Sequence, residues 1–128
     1  MNHGTFVTTI NCIDGRVQIP IIQYLLDKFS CNYVDSITEA GPDKILALRE
    51  ETTILNSIKT RVDISVNQHK SKVVTIVGHF DCAGNPVDEA THKKHIQKSI
   101  NTIRSWNLDV VVLGLWVDEN WNVQEVDE

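Results

Sequence analysis

The residue types best suited to chemistry concentrate in two short fragments, NCIDGR at residues 11–16 and VGHFDC at residues 77–82. Cys12, His79 and Cys82 offer thiolate and imidazole donors, the combination that zinc prefers. Three protein ligands leave one tetrahedral position open, the pattern of a catalytic metal and not of a closed structural one. Asp14, two residues after Cys12, is expected to reach that fourth position or a water held there. Arg16 can fork onto the Asp14 carboxylate, fixing its orientation and keeping it ionised. NCIDGR would then deliver one ligand, one acceptor and one clamp, provided that it meets VGHFDC in space.

The surrounding pattern says how the two fragments could meet. FVTTINC (6–12), NYVDSIT (32–38), KVVTIVG (72–78) and DVVVLGLWV (109–117) are short and rich in β-branched residues. The last two are nearly continuous apolar runs, as expected of parallel strands covered on both faces. Helical patterns lie between them. Val17, Ile21, Leu25 and Phe29 recur every four residues, and Pro20 suits a first helical turn. An interrupted helical stretch follows Gly41-Pro42, with Ile54, Ile58 and Val62 on one face. A third helix runs from about Asp88 to Trp106 and turns Ile96, Ile100 and Ile103 inward. The tail DENWNVQEVDE predicts a turn at Glu119-Asn120 and a short antiparallel edge strand.

Alternating strands and helices predict a single three-layer α/β domain over residues 1–128, with right-handed crossovers and a mostly parallel sheet. With strand order 2-1-3-4, the crevice lies beyond the carboxyl ends of strands 1 and 3. Cys12 ends the first and His79 the third, so this order brings the two fragments together.

Composition narrows the class. The chain has 128 residues, 41% of them hydrophobic, which suits one core. Its 12 Lys+Arg against 17 Asp+Glu give a net charge of -5, with no basic stripe to follow a phosphate backbone, so nucleic acid is not an expected partner. The start MNHGTFVTTI lacks the features of a secretory signal, and runs such as VVVLGLWV are too short to span a bilayer. The expectation is a soluble, cytoplasmic protein with no membrane partner. Three cysteines far apart make a poor disulfide framework and point to a reducing compartment.

The motifs also resemble a known family. Cys12-Ile13-Asp14-Gly15-Arg16, followed by Val17-Gln18-Ile19-Pro20, is similar to the Cys-x-Asp-x-Arg signature and following Val-x-Pro of β-class carbonic anhydrases, with either an extra residue before the proline or a shift in alignment. Gly78-His79-Phe80-Asp81-Cys82 resembles their Gly-His-x-x-Cys signature. Glu39-Ala40-Gly41 falls where the family has Asn-Ala-Gly, and LGLWVDENWNVQEV resembles its closing strand, turn and strand. The resemblance covers essentially the whole chain. It implies Cys12, His79 and Cys82 as ligands of a Zn2+ cofactor and Asp14 and Arg16 as a catalytic dyad. It further implies reversible hydration of carbon dioxide to bicarbonate and a proton, and a homodimer or higher homo-oligomer. Three departures imply a minimal or divergent branch. Few residues precede strand 1 where the family usually has N-terminal helices, Glu39 replaces Asn, and Ala83 stands between Cys82 and Gly84.

Other readings are weighed on the same residues. A cysteine-dependent phosphatase loop needs an arginine six positions after its cysteine, but Gln18 is there. Neither Cys-x-x-Cys nor a glycine-rich phosphate loop occurs. A zinc hydrolase acting on carbonyl sulfide or carbon disulfide, and a non-catalytic zinc-bound interaction protein, remain as alternatives. Cys31 is expected to pack. His92 and His95 are read as a solvated helix face that could otherwise bind metal or relay protons, and His3 and His69 as solvated too. Asp81 is read as a turn residue or a base, and Trp106, Trp116 and Trp121 as core or subunit contacts.

Overall fold

The computed structural model describes residues 4–127; His3 lies outside them. Among the described residues the elements run β1 (Phe6–Cys12), α1 (Gly15–Phe29), β2 (Tyr33–Glu39), α2 (Pro42–Leu48), α3 (Thr52–Gln68), β3 (Val73–His79), α4 (Glu89–Arg104), β4 (Val111–Val117) and β5 (Val123–Val126). Strand bounds fall within two residues of those read from the sequence. The sheet has the order β2-β1-β3-β4-β5, parallel through β4 and antiparallel between β4 and β5. The expected arrangement of a mostly parallel sheet with an antiparallel C-terminal edge strand is therefore the observed one.

Strand periodicity divides the core into two faces, because successive side chains point to opposite sides of a sheet. Ile10, Ile76, Val112 and Trp116 face α2, α3 and α4, where they meet Leu46, Ile58, Val62, Ile96, Ile100 and Ile103. Val7, Val73, Val77, Leu115 and Val117 face α1, where Val17, Ile21 and Leu25 are fully buried. Three layers result. Each fully buried isoleucine or leucine stabilises the fold by about 1.5–3 kcal/mol relative to exposure.

Local chemistry sets where the helices begin and end. The expected interrupted helix is two helices, α2 ending at Arg49, which adopts a left-handed φ of 57° and donates its N–H to the Ile45 carbonyl. Asp88 caps α4 by accepting the Thr91 N–H at 2.8 Å. The expectation for Pro20 is corrected, since it lies inside α1 and not in its first turn. Asp14 caps α1 by accepting the Arg16 N–H at 2.9 Å, which starts the helix at Gly15. The missing Pro20 N–H deprives only the carbonyl of Arg16, an exposed residue near the helix start. Among the described residues no helix is long and apolar enough to cross a membrane.

Candidate metal centre

Parallel pairing aligns the carboxyl ends of neighbouring strands, and the site is built there. β1 pairs with β3 through Ile10 opposite Ile76, which puts Cys12 and His79 at one end of the sheet. The tight turn after β3 returns Cys82 to the same point. The ligand atoms of Cys12, His79 and Cys82 all lie within 4.8 Å of one another, and this is the set of metal-ligand geometry found among the described residues. All three are buried, at 4%, 1% and 4% exposure.

The donor chemistry fits a tetrahedral metal. The sulfurs of Cys12 and Cys82 are 4.0 Å apart, far beyond a disulfide bond and near the roughly 3.8 Å that two thiolates at about 2.3 Å from one zinc would show. His79 donates its Nδ1–H to the Phe80 carbonyl at 2.7 Å, which leaves Nε2 as the lone-pair nitrogen. That Nε2 is buried with no hydrogen-bond partner. A buried imidazole nitrogen without a partner, facing two thiols, suits a metal ligand.

Charge is distributed unevenly over the pair of sulfurs. The Cys12 thiol is drawn well below the usual thiol range, first by the hydrogen bond from Cys82, then by His79 and by the backbone N–H groups of Gly41 and Asp14, against the opposing effect of burial. Cys82 is pushed up by the neighbouring Cys12 thiolate and by burial, while the N–H groups of Gly84 and Asn85 pull the other way. Burial opposes a charge on His79, but Cys12 and the Phe80 carbonyl outweigh it and raise its pKa. Backbone N–H groups therefore reach both sulfurs from the turns that flank them.

Two of those turns touch each other. Gly41 has a φ of +64°, and a Cβ there would lie 2.6 Å from the Gly84 carbonyl carbon; one on Gly84 would lie 2.4 Å from that of Ala40. Only glycine permits so close a backbone approach. Gly84, one place later than the family pattern, performs this packing, and Ala83 is exposed beside it.

Asp14 and Arg16 form the fork anticipated from their spacing. Arg16 Nε donates to Asp14 Oδ1 at 3.0 Å and Nη2 donates to Oδ2 at 2.7 Å. The side-chain bonds from Arg16 hold the Asp14 carboxyl at about 2, well below the usual range, and Asp14 in turn raises the Arg16 pKa. The clamp has further members that the spacing did not reveal. Arg16 also donates to the Asp81 carboxylate and carbonyl, both at 3.2 Å, and its guanidinium lies 4.7 Å from the centre of the Trp121 ring. Asp81 and Trp121 both adopt left-handed backbone, with φ of 57° and 62°. No local motif announces these contacts, because each joins turns distant in sequence.

Several single residues need correction. His92 is not on a solvated face: it is 1% exposed and bonded to the equally buried Asp43 at 2.6 Å. His95 is partly buried and bonded to Asn85 at 2.9 Å. His69 is exposed, as expected of it, and there it bonds Asp35 at 2.7 Å and stacks on Phe6. Glu39, in place of Asn, is paired with Arg61 at 2.6 Å. Cys31 packs at the edge of the α1 layer, as expected of it, and Trp116 is core.

A family profile described as "Putative carbonic anhydrase" matches residues 2–127. The chain belongs to this carbonic anhydrase family. A comparison with curated protein sequences found no significant match. Among solved structures, a β-carbonic anhydrase of Aspergillus fumigatus aligns with a TM-score of 0.67 at 11% identity, covering 98% of this chain and 91% of its own. A carbonic anhydrase of Glaciozyma antarctica gives 0.62 at 14% identity, over 94% of this chain and 81% of its own. A neighbour from Sordaria macrospora, described among tetrameric β-carbonic anhydrases, gives 0.57 at 13% identity, over 99% and 83%. At such identities the shared property is the fold, so this carbonic anhydrase family member has the β-class architecture.

Proposed function

We propose that this protein catalyses the reversible hydration of carbon dioxide to bicarbonate and a proton with Zn2+ as its cofactor. The observation that carries the reading is the buried Cys12–His79–Cys82 constellation beside the closed Asp14–Arg16 fork. Cys12, His79 and Cys82 would hold the metal, which when bound supplies the Lewis acidity that makes water nucleophilic near neutral pH. Asp14 stays ionised throughout the working range and offers a carboxylate oxygen as a hydrogen-bond acceptor to orient the attacking water. Arg16 keeps that carboxylate turned away from the ligand set. An open cavity beside Cys82, walled by Phe80, Pro86, Val87 and Trp116 and rimmed by the carboxylates of Asp81, Asp88, Glu89 and Glu119, offers room for a small substrate.

The decisive experiment assays the purified, zinc-loaded protein with carbon dioxide, carbonyl sulfide and carbon disulfide. The expected result is carbon dioxide hydration well above the buffer rate, abolished by a zinc chelator and restored by zinc. Turnover of the sulfur compounds alone would move the assignment to a hydrolase. A zinc-loaded protein inert to all three would mark a binding module.

Assembly and compartment belong to the same reading. β2 is an edge strand of the sheet and Tyr33 on it is exposed, so a homodimer built around β2 is the proposed working form. Light scattering at micromolar concentration is expected to give twice the 14.5 kDa chain mass; a monomer with full activity would refute the dimer. All three cysteines are free thiols, which supports a reducing, cytoplasmic setting.

A further inference from the structure

Away from the ligand set lies a buried polar cluster that the proposed chemistry does not use. Asp43 and His92 are each 1% exposed, and the ring Nδ1 donates to Asp43 Oδ2 at 2.6 Å across 49 residues of sequence. Asn85, also 1% exposed, puts its amide nitrogen 3.5 Å from the same ring nitrogen and 2.9 Å from His95 Nδ1. Trp116 packs its ring against His92, with centroids 5.2 Å apart. Asp43 Oδ1 and His92 Nε2 are buried without a hydrogen-bond partner. Such a pair is a poor investment in stability, because apolar residues of similar volume fill the same space without desolvating polar groups. Its position points to another role.

The segments that carry His79 and Cys82 touch this pair, and the segment that carries Asp43 also reaches Cys12. Asp43 follows Gly41 by two residues, and Gly41 sends its N–H to Cys12. Gly78, next to His79, leaves room for the pair: a Cβ there would stand 2.9 Å from Asp43 Oδ2 and 3.1 Å from His92 Nδ1. Asn85 sends its backbone N–H to Cys82 while its side-chain amide donates to His95 Nδ1 and packs beside the His92 ring. The Gly41–Gly84 backbone contact is bracketed by Asp43 on one turn and Asn85 on the other.

We propose that Asp43, His92 and Asn85 are positioning residues for the metal centre, a buried latch that holds the two turns so that their N–H groups bear on the Cys12 and Cys82 sulfurs. Hydrogen bonds to thiolate ligands set their basicity and direction, and partners of this outer kind commonly govern metal affinity. The latch rests on the metal centre proposed above. It adds that this centre is tuned from behind by residues that touch neither metal nor substrate.

The test uses the full chain. Zinc affinity is measured by chelator competition, and cobalt(II) is bound in place of zinc to read the thiolate-to-metal charge-transfer bands. Parent, His92→Phe, Asp43→Asn and Asn85→Ala are compared, with Tm alongside. His92→Phe and Asn85→Ala are expected to weaken zinc roughly 10–100-fold and to displace the cobalt bands. Asp43→Asn, which keeps an oxygen for the His92 N–H, should fall between them and the parent. Should His92→Phe fail to fold, Asn85→Ala carries the test, because it leaves the Asp43–His92 pair in place. Folded variants with parental affinity and parental bands, whatever their Tm, overturn the latch while the centre stands. A parent that binds neither metal overturns the centre and the latch with it.

Discussion

Cys82→Ser is expected to leave a folded protein that has lost its metal. Serine keeps the size of the residue, so the turn between His79 and Asn85 should close as before. Its hydroxyl is not deprotonated near neutral pH and makes a poor substitute for thiolate. The change leaves Cys12 and His79 as two ligands, one of which also loses the thiol that now donates to it. Metal binding to such sites is a large free energy that depends on every ligand. Zinc content in protein purified without added metal is expected to fall to about a tenth of the parent or less, and carbon dioxide hydration with it. Elemental analysis checks the first and a stopped-flow assay the second. A variant with parental zinc would remove Cys82 from the ligand set.

The second large effect concerns the fork. Asp14→Asn should retain zinc, because Asp14 is not in the ligand set, but should lower kcat/KM by about 10²-fold or more, the usual cost of removing a positioned proton acceptor. Arg16→Ala should also retain zinc and lose activity, because it releases the Asp14 carboxylate toward the metal. The same experiment reads the pH profile. The Asp14 carboxyl is depressed to about 2 by Arg16, so the stabilisation from the fork is fully present above the ordinary carboxylate pKa and is lost only as pH falls through about 2. Asp14 therefore places no limb in the profile between mildly acid and alkaline pH. The limb expected there comes from the metal. Two thiolates would cancel the double positive charge of a zinc held there, so its water would be acidified less than at a site of three neutral histidines, and parental activity should rise toward alkaline pH. A flat parental profile, or variants as active as the parent, would refute these roles.

Much of this architecture is legible in the chain because it depends on local periodicity. β-branched runs separated by amphipathic helices call for a parallel sheet, and Cys12 and His79 sit at strand ends by their place in those runs. The Asp14–Arg16 fork is equally local, two residues apart at one helix N-terminus. The helix start at Gly15 was hidden, because Pro20 sent a stronger punctuation signal than the Asp14 cap that overrules it.

What the chain by itself determined is the succession of strands and helices along it and the identity of the chemical groups at the strand ends, since both follow from local pattern; the lateral order 2-1-3-4 was an assumption that only the pairing of the strands decides. Tertiary structure alone decided which distant turns meet. His92 reads as polar surface on its helix, yet the approach of Gly41 to Gly84 and the missing side chain at Gly78 open a buried space in which it finds Asp43. Asp81 and Trp121 likewise join Arg16 only because strand pairing stacks the ends of β3 and β4 side by side, His79 opposite Val117. A contact between residues far apart in sequence is set by the packing of whole elements, and the free energy of that packing is not written in either residue's neighbourhood.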